Sequence, residues 1–149
     1  MTIAIDASAA IEYLVPTDAR LRDAVVDGIA GDPHWVVPEH FVLETVNGLR
    51  GRWLGGHLSQ EEFGSAVTVL AEFEFDVWPT VALLPRVVQL AANATSYDAA
   101  YLALAEELNC RLVTADAKLA QVPGIRCRIV GAGQPSAVAS RDARHASLR

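Results

Sequence analysis

Met1-Thr2-Ile3-Ala4-Ile5-Asp6-Ala7-Ser8 is the stretch on which the fold turns. Residues 2–6 are a short apolar run with β-branched side chains, which reads as an opening strand. A helical pattern follows at once, over about residues 8–15. A carboxylate therefore stands where a strand gives way to a helix. In open α/β folds this carboxyl edge of the sheet is where loops and helix N-termini converge and ligands bind. Asp6 has two readings here. It is a favoured N-cap for the helix starting at Ala7, or a metal-bound carboxylate, since burying an unpaired one costs several kcal/mol.

The alternation continues outward from that stretch. A helix over about 18–30, a strand at 34–37 and a helix over about 39–54 extend the α/β pattern. Gly55-Gly56 ends that helix, and Ser59-Gln60-Glu61-Glu62 opens the next as a capping box, running to about residue 73. Phe75-Asp76-Val77-Trp78 reads as a third strand, and Val81 to Ala94 as a helix bent or started late by Pro85. Ser96 caps a strong helix from Tyr97 to Asn109, Arg111-Leu112-Val113-Thr114 forms a fourth strand, residues 117–122 a helical turn, and Arg128-Ile129-Val130 a last strand. One domain of residues 1–133 follows. Gln134 to Arg149 is rich in Ser, Ala and Arg with almost no large apolar residue, so it cannot offset its ordering entropy and is expected to be a disordered tail.

Of the 149 residues, 52% are hydrophobic, enough for one buried core. Charge interrupts every apolar stretch well short of the roughly 20 residues of a bilayer span, and Asp6 and Glu12 break any leader pattern. A cytoplasmic protein with no membrane contact is expected. Cys110 and Cys127 form no CxxC and have no histidine at zinc spacing, so they read as reduced and partly buried thiols. The net charge of −6 argues against a broad phosphate-binding surface, yet it is compatible with a nuclease whose acids are concentrated in a metal pocket.

Three further acids keep company with Asp6. Glu44 lies in Phe41-Val42-Leu43-Glu44-Thr45-Val46-Asn47-Gly48-Leu49, an otherwise apolar helical segment, on a face shared with His40, Asn47 and Gly48. Asn47 is either a hydrogen bonder to Glu44 or a surface residue, and His40 reads better as capping or solvated. Asp98 begins an Ala- and Leu-rich helix, where it either complements the helix dipole or points toward the sheet edge. Asp116 repeats the geometry of Asp6, an acid just past a strand end with a hydroxyl, Thr114, two residues away, as Ser8 is from Asp6. Oxygen-only ligands favour Mg2+ or Mn2+. Arg50, Arg52 and Lys118 are the cations near these elements, open to phosphate contact or to surface solvation.

Ile3-Ala4-Ile5-Asp6-Ala7-Ser8, Val37-Pro38-Glu39 leading to Glu44, Tyr97-Asp98-Ala99-Ala100-Tyr101-Leu102-Ala103-Leu104-Ala105 and Leu112-Val113-Thr114-Ala115-Asp116 closely resemble the PIN domain of VapC-type toxins, over about residues 1–131. The resemblance implies a Rossmann-like three-layer α/β/α fold with a central parallel sheet of four or five strands. It further implies an Mg2+- or Mn2+-dependent endoribonuclease, the toxin of a type II toxin–antitoxin pair, with RNA as substrate and a VapB-type antitoxin and a second copy as partners. By motif position Asp6, Glu44, Asp98 and Asp116 are the catalytic and metal-binding acids, with Ser8 and Thr114 supporting. Some PIN domains carry a further acid after the last Asp; Ala117, Leu119 and Ala120 offer none. Phe41, Val42, Trp53, Leu54 and Phe63 would suit an antitoxin helix or a dimer partner if exposed, and ordinary core packing explains most of them equally. A phosphoreceiver would need an acidic pair after the first strand, which Asp6-Ala7 lacks, and a haloacid-dehalogenase-like phosphatase a second Asp where Ser8 stands. A catalytically silent interaction module is the remaining alternative.

Overall fold

The structure, a computed structural model, describes residues 1–31 and 34–132. The expected tail from Gln134 lies outside the described residues. In chain order the elements are β1 (Thr2–Ile5), α1 (Ala7–Leu14), α2 (Ala19–Ile29), β2 (His34–Pro38), α3 (Phe41–Leu54), α4 (Gln60–Ala71), β3 (Asp76–Trp78), α5 (Leu84–Leu90), α6 (Ser96–Glu107), β4 (Arg111–Thr114) and β5 (Ile129–Gly131). Short 3₁₀ turns, Thr80–Leu83 and Leu119–Gln121, precede α5 and β5.

The five strands form one parallel sheet in the order β3-β2-β1-β4-β5. β1 is central, and its Ile3, Ala4 and Ile5 are wholly buried, as are Leu112 and Val113 of β4. Near-continuous apolar strands are what a parallel sheet covered on both faces requires. α2 packs on β4 and β5 with α1 beside it, and α3 and α4 pack on α1. α6 lies across β1, β2 and β4 with α5 as its neighbour. Ala99, Ala100, Ala103 and Ala105 are almost fully buried; small side chains let this helix approach the sheet closely.

Local signals place most boundaries. Ser59 Oγ accepts from Glu62 N at 3.0 Å while Glu62 Oε2 accepts from Ser59 N at 2.7 Å, the reciprocal pair expected of the capping box. Most ends fall within about two residues of expectation, and two differences have a clear physical reason. The segment read as one helix over 81–94 is a 3₁₀ turn followed by the short α5, with Pro85 in its first turn, where a missing N–H costs nothing. The cap of α6 is Thr95, whose hydroxyl accepts from Asp98 N at 3.2 Å, rather than Ser96. Neither cysteine is in a disulfide among the described residues, and both are partly buried, as expected.

Arg52 is not a solvated cation. Its guanidinium lies 3.1 Å from Oε2 of Glu12, which is 1% exposed, and also donates to Val15 O. Thr17 N, Thr17 Oγ1 and Asp18 N donate to the same carboxylate, tying the α1–α2 loop to α3. Burial pushes the Glu12 carboxyl up, but these amides, the guanidinium and the hydroxyl outweigh it and hold it below the ordinary glutamate range. Arg52→Met is expected to lower stability by about 2 kcal/mol in urea denaturation at pH 7. That is less than the ~3–5 kcal/mol of a fully buried broken pair, because three donors to Glu12 remain. A loss below about 0.5 kcal/mol, the range of ordinary surface changes, would refute the assignment.

Candidate active site

The chain runs from β1 outward to β2 and β3, then returns to the other side of β1 for β4 and β5. The strand order therefore reverses between β1 and β4, and the crevice beyond their carboxyl ends is where open α/β sheets bind ligands. Asp6 follows β1, and Thr114 and Asp116 end and follow β4. Two of the four predicted acids thus meet at the switch point because β1 and β4 are neighbours.

A web of hydroxyls fixes this junction. Asp6 is 3% exposed. Its Oδ1 accepts from Ala9 N at 2.9 Å, so the residue does cap α1. The same oxygen accepts from Ser8 Oγ at 2.7 Å, and Oδ2 accepts from Thr114 Oγ1 at 2.5 Å. Ser8 Oγ in turn accepts from Ala115 N, and Thr114 Oγ1 from Asp116 N. Ser8 and Thr114 therefore join the start of α1 to the end of β4 through the carboxylate between them. Helix cap and site residue are one side chain using different lone pairs.

Burial pushes the Asp6 carboxyl up to about 6, against the pull of the Thr114 and Ser8 hydroxyls and the Ala9 amide, and the nearby Glu44 carboxylate adds to the rise. Glu44 reaches this region from α3. Its Oε2 accepts from Tyr101 Oη at 2.6 Å and lies 3.6 Å from His40 Nε2. Asp98, half-buried in the first turn of α6, is also raised, chiefly by burial, with the Asp116 carboxylate contributing and His40 opposing. Asp116 Oδ1 accepts from Lys118 N at 2.9 Å, steadying the turn that follows.

The acids are electrostatic neighbours in two pairs, Asp6 with Glu44 and Asp98 with Asp116, and His40 is influenced by a member of each, Glu44 and Asp98. As the side chains stand, no three acidic, histidine or cysteine groups among the described residues lie close enough to enclose a metal. The donor chemistry nonetheless suits a hard divalent cation. The donors are carboxylates, and none of the four is in an ion pair with lysine or arginine among the described residues. A buried carboxylate without a cation is forced toward protonation, as Asp6 is.

Other residues fall differently from expectation. Asn47 is exposed and makes no side-chain hydrogen bond among the described residues, although it lies one turn from Glu44. His40 is neither solvated nor a side-chain cap: its Nε2 is buried and its ring packs edge-on against Tyr97 and Tyr101. Tyr101 was not a predicted site residue. An aromatic in an Ala-rich helix reads as core, and its partner Glu44 is 57 positions away.

A parallel five-stranded sheet between helical layers, with carboxylates and hydroxyls gathered at its switch point, defines a Rossmann-like three-layer α/β domain with an acidic site at the strand ends. The chain belongs to the PIN domain family, whose sequence profile matches residues 3–125. Ribonuclease VapC9 of Mycobacterium tuberculosis is 34% identical over 127 residues, which is 85% of this chain and 95% of that protein. Ribonuclease VapC12 of the same species is 33% identical, covering 85% and 96%. Among solved structures, VapC20 of Mycobacterium tuberculosis, described as a toxin cleaving the sarcin-ricin loop, superposes with a TM-score of 0.62 at 16% identity, over 85% of this chain and 98% of that one. VapBC2 of Rickettsia felis, bound to a promoter DNA fragment, superposes with a TM-score of 0.55 at 12% identity, over 87% and 99%. Those two superpositions speak for the fold.

Proposed function

We infer that this chain is the ribonuclease toxin of a type II toxin–antitoxin pair, hydrolysing RNA phosphodiester bonds with Mg2+, for which Mn2+ substitutes. The observation that carries the reading is the position of Asp6: a buried carboxylate at the switch point, held by three donors and lacking a cation among the described residues. Relatives more than 30% identical over most of this chain are ribonucleases by name, and that activity fits the site.

A divalent cation bound here supplies acidity to a water molecule and neutralises charge developing on the phosphate. The chain's residues provide the frame. Asp6 and Asp116 are the principal ligands, each steadied by the Thr114 hydroxyl, through Asp6 Oδ2 and the Asp116 amide. Glu44 and Asp98 complete the oxygen set directly or through water. Ser8 holds Asp6 and the backbone of Ala115 together, keeping the two strand ends in register.

The partners follow from the same reading. A VapB-type antitoxin is expected on the apolar face of α3 and α4, where Leu54 and Val42 are exposed and Trp53 stacks on Phe63 at 5.3 Å. Phe41, expected on that face, is wholly buried in the core instead and offers no contact. A homodimer is part of the proposal, as is a cytoplasmic site of action; no helix among the described residues is long and apolar enough to cross a membrane.

Cleavage of a structured RNA by the purified protein should require Mg2+ or Mn2+, stop on addition of EDTA, and be lost in Asp98→Asn and in Asp116→Asn while both variants stay folded. Removing a ligand should cost at least the ~100-fold upper end seen on removing an outer partner. Cleavage that survives EDTA would overturn the mechanism. A folded wild-type protein that cleaves no RNA under any metal would favour the interaction-module alternative.

A further inference from the structure

Tyr101 lies on α6 one turn beyond Asp98 and is 1% exposed. Its hydroxyl donates to Glu44 Oε2 at 2.6 Å, joining α6 to α3 across the site. His40, one turn before Glu44, flanks the same contact: its ring centroid is 4.9 Å from that of Tyr101, and its Nε2 is 3.6 Å from the same glutamate oxygen. That nitrogen is buried with no hydrogen-bond partner among the described residues, so Tyr101 supplies the hydrogen bond that the carboxylate receives. Glu44 is otherwise a long side chain on a half-exposed helix position, free in three torsions. A buried hydroxyl that fixes one oxygen removes that freedom before any ligand arrives.

We propose that Tyr101 is a positioning residue that makes Glu44 a one-oxygen ligand, its hydroxyl retaining Oε2 and leaving Oε1 for the divalent cation. The proposal rests on the metal reading above and adds a selectivity to it. Mg2+ demands a near-octahedral shell, and Mn2+ also favours octahedral oxygen sites, which leaves less room for two-oxygen carboxylates than the larger, more flexible shells of Ca2+, where both oxygens of a carboxylate bind readily. Oε2 of Glu44 keeps a second lone pair, but with one already engaged by the hydroxyl it is the poorer donor of the two oxygens, so the two-oxygen grip is disfavoured. Tyr101 therefore tilts the site toward the smaller ions.

The test is calorimetric titration of the metal-free, full-length protein with Mn2+ and, separately, with Ca2+, for wild type, Tyr101→Phe, Tyr97→Phe and Asp6→Asn. Tyr101→Phe keeps the ring that fills the core and removes only the hydroxyl. It should weaken Mn2+ binding by about tenfold, the lower end for loss of a partner behind a ligand, with Ca2+ binding unchanged or tighter. The Mn2+-to-Ca2+ affinity ratio should fall accordingly. Tyr97→Phe, which alters the other ring against His40, should leave both unchanged. A ratio in folded Tyr101→Phe within about twofold of wild type overturns the positioning role, because a purely structural tyrosine would not change selectivity. Should Tyr101→Phe fail to fold, ultraviolet resonance Raman of a Tyr13→Phe, Tyr97→Phe protein, where Tyr101 is the sole tyrosine, reads the hydroxyl directly. A donor signature kept on adding Mn2+ supports the assignment, and its loss overturns it. Wild type that binds no Mn2+, or Asp6→Asn that binds as wild type does, overturns the metal reading as well; normal Mn2+ binding with an unmoved ratio overturns this proposal alone.

Discussion

Asp6→Asn should abolish RNA cleavage and, in the metal-free protein at neutral pH, raise stability. The two effects have one cause. The carboxylate is buried where only a cation would compensate its charge, so the folded chain holds it at a free-energy cost that a ligand relieves. Loss of a principal ligand is expected to lower cleavage at least about 100-fold.

The stability gain can be bounded from the acid's titration. Its carboxyl is raised from 3.8 to about 6 in the fold. A raised acid binds its proton more tightly in the folded state than in the unfolded state. Stability therefore falls as pH rises from about 4 to about 6, and the full penalty persists above. Roughly two pH units correspond to about 3 kcal/mol. Asparagine is neutral and keeps the Ser8 and Ala9 bonds through its oxygen, while its amide must meet a reoriented Thr114 hydroxyl, an imperfect exchange. A net gain of about 2 kcal/mol at pH 7.5 in EDTA is expected, one hydrogen bond's worth below the bound. Urea unfolding at pH 4.5 and 7.5 measures it: the variants should converge at the lower pH and separate at the higher. An asparagine variant less stable than wild type at pH 7.5 would show that the carboxylate is paired in solution and needs no metal.

The sequence made visible those parts of the site where acid and hydroxyl sit close together along the chain. Asp6 with Ser8, and Asp116 with Thr114, are each two residues apart at a strand end, and the structure joins the two pairs because β1 and β4 are neighbours. That adjacency was not legible, since strand order depends on which crossover passes to which side. Contacts made by long reach were lost for the same reason. Tyr101 with Glu44, and Arg52 with Glu12, are 57 and 40 positions apart. Read singly, each looks like core or surface. For Asn47 the surface alternative is the one the structure shows: it is one turn from Glu44 along the helix yet faces solvent. The choice of Thr95 over Ser96 as cap lay below what adjacent hydroxyls can reveal.

Gly131→Ala should be the most damaging single-methyl change near the site, although residue 131 touches none of the four acids. Gly131 ends β5 opposite Thr114, with φ of +102°, and the next residue, Ala132, donates its N–H to Thr114 O at 2.8 Å. A Cβ at 131 would stand 2.2 Å from that same carbonyl oxygen. The conformation alone costs about 1–3 kcal/mol for a side chain. The clash is with backbone, which no rotamer can relieve. Either the end of β5 withdraws, losing the Ala132 bond at about 1 kcal/mol, or Thr114 moves. The second route reaches the site, because Thr114 Oγ1 holds both Asp6 Oδ2 and the Asp116 amide. A total loss of about 3–4 kcal/mol is expected, large against the ~5–15 kcal/mol that holds a domain together yet leaving it folded. Gly124→Ala is the control: it also has positive φ, at +79°, but nothing lies within 4 Å of its added carbon, so it carries backbone strain alone. Comparing urea midpoints of the two variants isolates the contact with Thr114. If Gly131→Ala costs no more than Gly124→Ala, β5 packs less closely on Thr114 than the 2.2 Å approach requires; if it costs more and weakens Mn2+ binding as well, the strain passes through Thr114 into the acids.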